Sequence, residues 1–163
     1  MANEYLLSID NGTQSVRALL FDIHGHLVAK AQVHLTAYFS DHPGWAEHDA
    51  DGYWQAVCQA CQRLWADNHI PKGAIKGVAV TTQRGTMINL DKHGKPLRPA
   101  IVWLDQRKAQ SVPEIKWWWR AAFKLARVDY TIRYFQHEAD ANWIALNQPE
   151  IWDKTDKYLM LGG

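Results

Sequence analysis

Residues 8–17 read Ser-Ile-Asp-Asn-Gly-Thr-Gln-Ser-Val-Arg: an apolar strand ending in the carboxylate of Asp10, a short turn of glycine and hydroxyl residues, and a second strand carrying Arg17. This pattern can handle phosphate. Successive backbone N–H groups in such a turn make an anion cradle, Asp10 can hold magnesium through water, and Arg17 adds positive charge. Asn11-Gly12 is equally a standard hairpin turn, so spacing alone leaves an ordinary hairpin and a phosphate cradle both open. Asp10, Asp22 and Asp105 suggest a different chemistry, the carboxylate cluster of a two-metal nuclease. That chemistry needs carboxylates converging on metals about 4 Å apart and a basic substrate face. Cys58-Gln-Ala-Cys61 has the spacing of redox and zinc sites, but no second cysteine pair completes a tetrahedral site. Both thiols fall on the apolar stripe of a helix, which assigns them to packing. His24 and His26 flank Gly25 in a turn and are read as solvated.

The elements that must position these residues begin with three strands. Tyr5 to Asp10, Val16 to Asp22 and Leu27 to Thr36 are apolar and partly alternating, and turn residues join them, predicting a meander of antiparallel hairpins. Phe39 to Asp49 reads as loop. Asp51 is placed to cap a helix running to about Asn68, with Trp54, Val57, Cys58, Cys61, Leu64 and Trp65 recurring at steps of three and four as its buried stripe. Strands follow at Ile75 to Thr81 and Thr86 to Leu90, a turn at Asp91 to Pro96, and a short apolar run at Ala100 to Trp103. After Pro113 the pattern is helical, and Tyr134 to Asn147 is expected to form one helix. Hairpins followed by strands mixed with helices predict an α/β domain on a mixed sheet.

Composition narrows the function classes. The 163 residues are 47% hydrophobic and 21% charged, which suits one globular domain. Eighteen Lys and Arg against seventeen Asp and Glu give a net charge of +1 and argue against nucleic acid or an anionic membrane as the main partner. No apolar run approaches the roughly 20 residues that span a bilayer, and residues 1–10 lack the pattern of a secretory signal. Two cysteines cannot make a disulfide framework, so the expected compartment is the cytoplasm. Nine tryptophans imply broad aromatic packing or a surface that another segment covers.

Asp10-Asn11-Gly12-Thr13-Gln14-Ser15-Val16-Arg17, continued by Phe21-Asp22, resembles the first phosphate-binding hairpin of the FGGY carbohydrate kinases, the family of glycerol kinase, xylulokinase and gluconate kinase. Further segments match in order. Residues 43–49, Pro-Gly-Trp-Ala-Glu-His-Asp, are similar to the family's PGW-x-E-x-D loop. Thr81-Thr82-Gln83-Arg84-Gly85-Thr86 resembles the strand end that meets the polyol, and Pro99 to Arg107 resembles the PAI-x-W-x-D-x-R segment. Residues 148–159 are similar to the family's NxPEI-x-x-KT-x-K-x-L stretch, so the resemblance reaches the end of the chain.

The resemblance implies the ribonuclease H-like unit of the actin, hexokinase and sugar-kinase superfamily, and ATP with magnesium as cofactors. Asp10 would orient magnesium and phosphate, with Asn11, Gly12, Thr13, Gln14, Ser15 and Arg17 lining the phosphates; such positioning and charge neutralisation carry most of phosphoryl transfer. Gln83, Arg84 and Gly85 would border the sugar or polyol substrate, Trp103 would pack on its carbon face unless it is plain core, and Asp105 would accept from its hydroxyls. Glu47, His48 and Asp49 are read as a brace beside that pocket. Gly85 departs from the glycerol-kinase branch, which has glutamate there, and this makes glycerol a poor fit. The family's general base and its second unit lie beyond the segment similar to residues 148–161. The expectation is therefore that residues 1–163 are part of the N-terminal domain and do not phosphorylate sugar alone. Trp117, Trp118 and Trp119 cannot all face one core in a helix, which predicts cover by missing chain or by a second protomer. The alternative from another class is a non-catalytic remnant or assembly module acting through this Trp-rich surface.

Overall fold

Period-2 alternation decides the first layer. In the computed structural model, which describes residues 4–163, β1 (Tyr5–Asn11), β2 (Ser15–Asp22) and β3 (Leu27–His34) form the expected antiparallel meander. Leu7 and Ile9, then Val16, Ala18 and Leu20, then Ala29, Ala31 and Val33 point to one face and are buried there. β5 (Ile75–Thr82) adds beside β1 in parallel, giving the mixed order β3-β2-β1-β5.

α1 (Ala50–Asn68) covers the buried face. Its cap is Asp49, whose carboxylate accepts from the Asp51 N–H; the helix thus starts before the expected Asp51. Its phase also differs from the predicted stripe. Tyr53, Ala56, Ala60 and Leu64 are buried, Val57, Cys61 and Trp65 pack at the border, and Trp54 is 69% exposed. Small residues at 56 and 60 meet Ala18, Ala29 and Ala31 on the sheet, so the helix sits close to the strands and leaves no room for an indole. Burying Leu20 and Leu64 contributes roughly 1.5–3 kcal/mol each. The Cys61 thiol is pushed up by burial and stays an inert packing group, as expected from its place on the helix.

A short 3₁₀ turn (Lys72–Ala74) leads into β5, after which the chain bends at Gln83–Thr86 and enters a second sheet. There β4 (Glu47–His48), β7 (Ala100–Ile101), β6 (Met87–Leu90) and β8 (Lys157–Met160) are antiparallel in the order β4-β7-β6-β8. The later strands therefore do not extend the first sheet, and the segment expected to be loop contributes β4. The closing residues reach back to β6, with Met87 opposite Met160.

Four helices fill the remainder: α2 (Trp117–Leu125), α3 (Asp129–Glu138), α4 (Asp140–Asn147) and α5 (Pro149–Trp152). The single helix expected over 134–147 is broken at Ala139, whose ψ is 114°. The Asn142 side-chain amide donates to the Gln136 carbonyl at 2.8 Å and takes the place of a helical N–H. Trp143 and Ile144 of α4 seed a second core with Ile101, Ala109 and Trp45. No helix among the described residues is long and apolar enough to cross a membrane.

Candidate active site where the first hairpin meets two strand ends

The β1–β2 turn, the end of β5 and Trp103, two positions past β7, converge on Thr13. Its hydroxyl donates to Gln83 Oε1 at 2.7 Å and accepts from Trp103 Nε1 at 3.0 Å. Gln83 is held at its backbone N–H and at both ends of its side-chain amide. Its backbone N–H donates to the Asn11 carbonyl at 3.0 Å, and its Nε2 donates to the Tyr53 hydroxyl at 3.0 Å. Sequence reasoning missed Tyr53, a buried α1 residue that stacks on His48 at 4.6 Å. The competing stripe Tyr53–Ala56–Ala60–Leu64 was its signal. Gln83 thus positions the turn, with one Nε2 hydrogen and one Oε1 lone pair left over.

Asp10 and Arg17 face each other directly across the hairpin, and Arg17 NH1 donates to Asp10 Oδ2 at 2.8 Å. Asp10 Oδ1 has no protein partner among the described residues. The Gly12 N–H is consumed within the turn by the Ser15 carbonyl at 3.1 Å, and buried Ser15 accepts at Oγ from Gln32 Nε2. The N–H groups of Thr13 and Gln14 have no backbone partner among the described residues, so they are the donors the turn offers. A Cβ on Gly12 would lie 3.3 Å from the Ser15 carbonyl oxygen, so glycine keeps the turn tight. Beside it lies a cleft of about 790 Å³ lined by Gly12, Thr13, Arg17, His34, Tyr38 and Trp103. These features fit magnesium and phosphate: a carboxylate oxygen free for a hydrated cation, two unpaired N–H groups, and the buried, unpartnered Asn11 Oδ1 behind them.

Trp103 is 54% exposed, which removes the plain-core alternative for it. Gly85 adopts φ +74°, and a Cβ there would stand 3.1 Å from Trp103 Cβ. Both favour glycine. Arg84, between Gln83 and Gly85, is exposed and has no ion-pair partner among the described residues.

Asp105 does not stand where the sequence expectation put it. Its side chain is 1% exposed; Oδ2 accepts from the Ala46 N–H at 2.7 Å, and Oδ1 accepts from Arg107 N and Nε at 2.8 Å. It fastens the 43–49 loop rather than facing a ligand. Glu47 does the same work from the other side, with Oε1 accepting from Arg107 NH1 at 2.7 Å and from Arg98 NH2. The Arg107 guanidinium is also stacked 4.2 Å from Trp45 and 4.6 Å from Trp143. Glu47 braces the loop, with Arg98 and Arg107 as the partners sequence reasoning missed, whereas His48 bonds the Thr36 carbonyl and Asp49 caps α1. Nor do the three aspartates form a nuclease cluster. Asp22 pairs with Tyr5 at the far end of the hairpin while Asp10 pairs with Arg17, about 17 Å along the strand. Asp22 is held near pKa 2, chiefly by its hydrogen bonds to His26.

The model of the FGGY family of carbohydrate kinases, N-terminal domain, matches residues 5–162. The chain belongs to the FGGY carbohydrate kinases. Glycerol kinase of Brevibacillus brevis is 38% identical over 117 residues, covering 71% of this chain and 23% of that protein. Glycerol kinase of Thermococcus onnurineus is 34% identical over 161 residues, covering 99% of this chain and 32% of its own length. Among solved structures, a xyloylose kinase from Brucella ovis superposes with a TM-score of 0.76 at 28% identity over 97% of this chain and 32% of that one. The FGGY chain thus spans a third or less of the length of the curated relatives it matches. Its fold is that of the sugar-kinase superfamily, a mixed sheet with flanking helices.

Proposed function

We propose that these residues form the phosphate-hairpin side of an ATP-dependent carbohydrate kinase, which transfers the γ-phosphoryl group to a hydroxyl of a polyol, ketose or sugar acid. The observation that carries this is the Thr13 junction. One hydroxyl ties the hairpin bearing Asp10 and Arg17 to Gln83 and Trp103, so a phosphate-handling turn and an exposed aromatic platform are held as one unit. Magnesium-bound ATP would supply the electrophilic phosphoryl group and the counter-charge for its oxygens. Asp10 Oδ1 is placed to orient the hydrated cation, and the N–H groups of Thr13 and Gln14 to orient phosphate oxygens. Arg17, pinned by Asp10, presents fixed positive charge without reorganisation when the phosphates arrive. Trp103 offers an apolar face to sugar carbons, beside the exposed donors of Arg84.

In this proposal residues 1–163 are part of the N-terminal domain, and the general base is not among them. The test is ATP turnover with magnesium and a panel of polyols, ketoses and sugar acids, by this chain and by the complete protein that carries it, with Asp10→Ala as the blank. Sugar-dependent turnover is expected from the complete protein only, and is lost in the blank. Turnover by the 163 residues would overturn the missing-base proposal, and no turnover by either would overturn the kinase proposal. A second proposal, assembly through a Trp-rich face, rests on α2, where Trp117, Trp118 and Trp119 are 75%, 47% and 54% exposed. A concentration-dependent mass that Trp118→Ala abolishes would support it.

A further inference from the structure

We propose that α2 lies flat on an anionic lipid surface, with Trp117, Trp118 and Leu125 entering the headgroup boundary while Lys116, Lys124 and Arg127 meet lipid phosphates. This role goes beyond the kinase reading and does not depend on it. α2 is barely attached to the rest of the fold. From 116 to 128 every residue is exposed except Phe123, which is half-buried. Phe123 and Arg120 line a cavity of about 210 Å³ shared with Asp129, Arg133 and His137 of α3. At about 100° per residue, Trp117, Ala121, Leu125, Trp118 and Ala122 make a continuous arc of about 140° centred opposite Phe123. The helix is therefore held by one edge with its apolar arc turned outward, where Leu125 is 88% exposed. An apolar face held in water is unfavourable until something covers it.

The charge around this arc selects the cover. Between Glu114 and Asp129 the chain carries four cations, Lys116, Arg120, Lys124 and Arg127, and no carboxylate. None of the four is in an ion pair among the described residues. Lys116 instead lies over the Trp118 ring, 5.2 Å from its centroid. The remainder of the chain is net acidic, so the total of +1, which argues against a membrane as the main partner, conceals one basic patch. An anionic surface attracts that patch and repels the body, which orients the molecule with α2 downward. A second copy of α2 is the poorer cover, because it would set these cations against their own counterparts, and lysine is depleted at protein interfaces. Lipid headgroups supply the absent phosphates. Indoles suit the same boundary, where the ring is buried and its N–H stays wet, and a lysine stem can lie along the apolar surface while its ammonium reaches a phosphate. At nine residues α2 is too short to cross a bilayer and fits only in its plane.

The experiment measures partitioning of this chain, and of the complete protein that carries it, onto vesicles of phosphatidylglycerol and vesicles of phosphatidylcholine. Binding is expected to be about tenfold or more tighter on phosphatidylglycerol and to weaken as salt is added. It should shift tryptophan emission to the blue and make it quenchable by lipid brominated in the acyl chain. Replacing Lys116, Lys124 and Arg127 by Gln is expected to weaken binding about fivefold per cation. Leu125→Ser should weaken it several-fold by removing apolar contact. All four side chains are exposed, and unchanged circular dichroism in the variants establishes that the fold is kept. Equal binding to both lipids, binding indifferent to the three Gln substitutions, or emission untouched by brominated lipid would overturn the proposal. So would three other occupants of the face. Self-association without vesicles that Leu125→Ser abolishes would assign it to a second copy, and binding to soluble polyglutamate as tight as to vesicles would assign it to an acidic polypeptide. Binding by residues 1–163 but not by the complete protein would assign it to cover from the same protein.

Discussion

Thr13 Oγ1 donates to Gln83 Oε1 at 2.7 Å although 70 positions separate the two residues. Through this bond the register of the hairpin turn depends on the end of β5, and Trp103 reads out both. Thr13→Val keeps the shape and removes the hydroxyl, leaving a half-buried amide oxygen without its donor. The expected loss of stability is about 1 kcal/mol in urea unfolding. Combined with Trp103→Phe, the cost should fall short of the sum of the single changes, because one junction is being broken twice.

The brace behind the site is the costlier feature. Glu47 lies between the guanidinium groups of Arg98 and Arg107, whose side chains are almost fully buried. Glu47→Gln removes the one carboxylate that both buried guanidinium groups hydrogen-bond. The expected destabilisation is about 3–5 kcal/mol, measured by chemical unfolding, with the 43–49 loop losing amide protection first. A change within about 0.5 kcal/mol would mean the carboxylate is free for another role.

Asp140 supplies the pH dependence. Burial, and then the nearby Asp105 carboxylate, push its carboxyl from 3.8 to about 6 against the opposing pull of Arg107 and Arg98. Between those values the folded chain holds a proton that the unfolded chain has released. Stability therefore falls as pH rises through this window and levels off above it. Asp140→Asn should flatten the fall and leave the variant more stable than the parent at pH 7 by about 1–2 kcal/mol. Thermal unfolding from pH 4 to 7.5 measures both.

Three consecutive exposed indoles make a spectroscopic prediction. Acrylamide should quench most of the tryptophan emission of this chain, and replacing Trp117 and Trp119 by Phe should remove a large share of the quenchable signal. Strong protection of both residues would mean that the α2 face is covered in solution.

How much of this was legible depended on range. Alternation at Leu7 and Ile9, at Val16, Ala18 and Leu20, and at Ala29, Ala31 and Val33 made the meander readable, because each strand states its own buried face. The phase of α1 was not readable. Trp54 carries a large apolar surface, yet the alanine-rich sheet face is met by Ala56 and Ala60, flanked by Tyr53 and Leu64. The phosphate hairpin was recognisable as a local run of residues, whereas the fate of Asp105 was not. One partner, the Ala46 N–H, lies 59 positions upstream, and only the fold turns the other, neighbouring Arg107, inward onto the same carboxylate. The break at Ala139 depended likewise on one side chain, Asn142, replacing a backbone donor.

The most direct test of the hairpin's role is titration of the isotope-labelled chain with magnesium and ATP, monitored at backbone amides. Shifts are expected to concentrate at Thr13 and Gln14, to extend to Arg17, to need magnesium, and to vanish in Asp10→Ala while its remaining spectrum stays folded. Shifts that are absent, that fall away from the β1–β2 turn, or that persist unchanged in Asp10→Ala would contradict a phosphate-handling hairpin here.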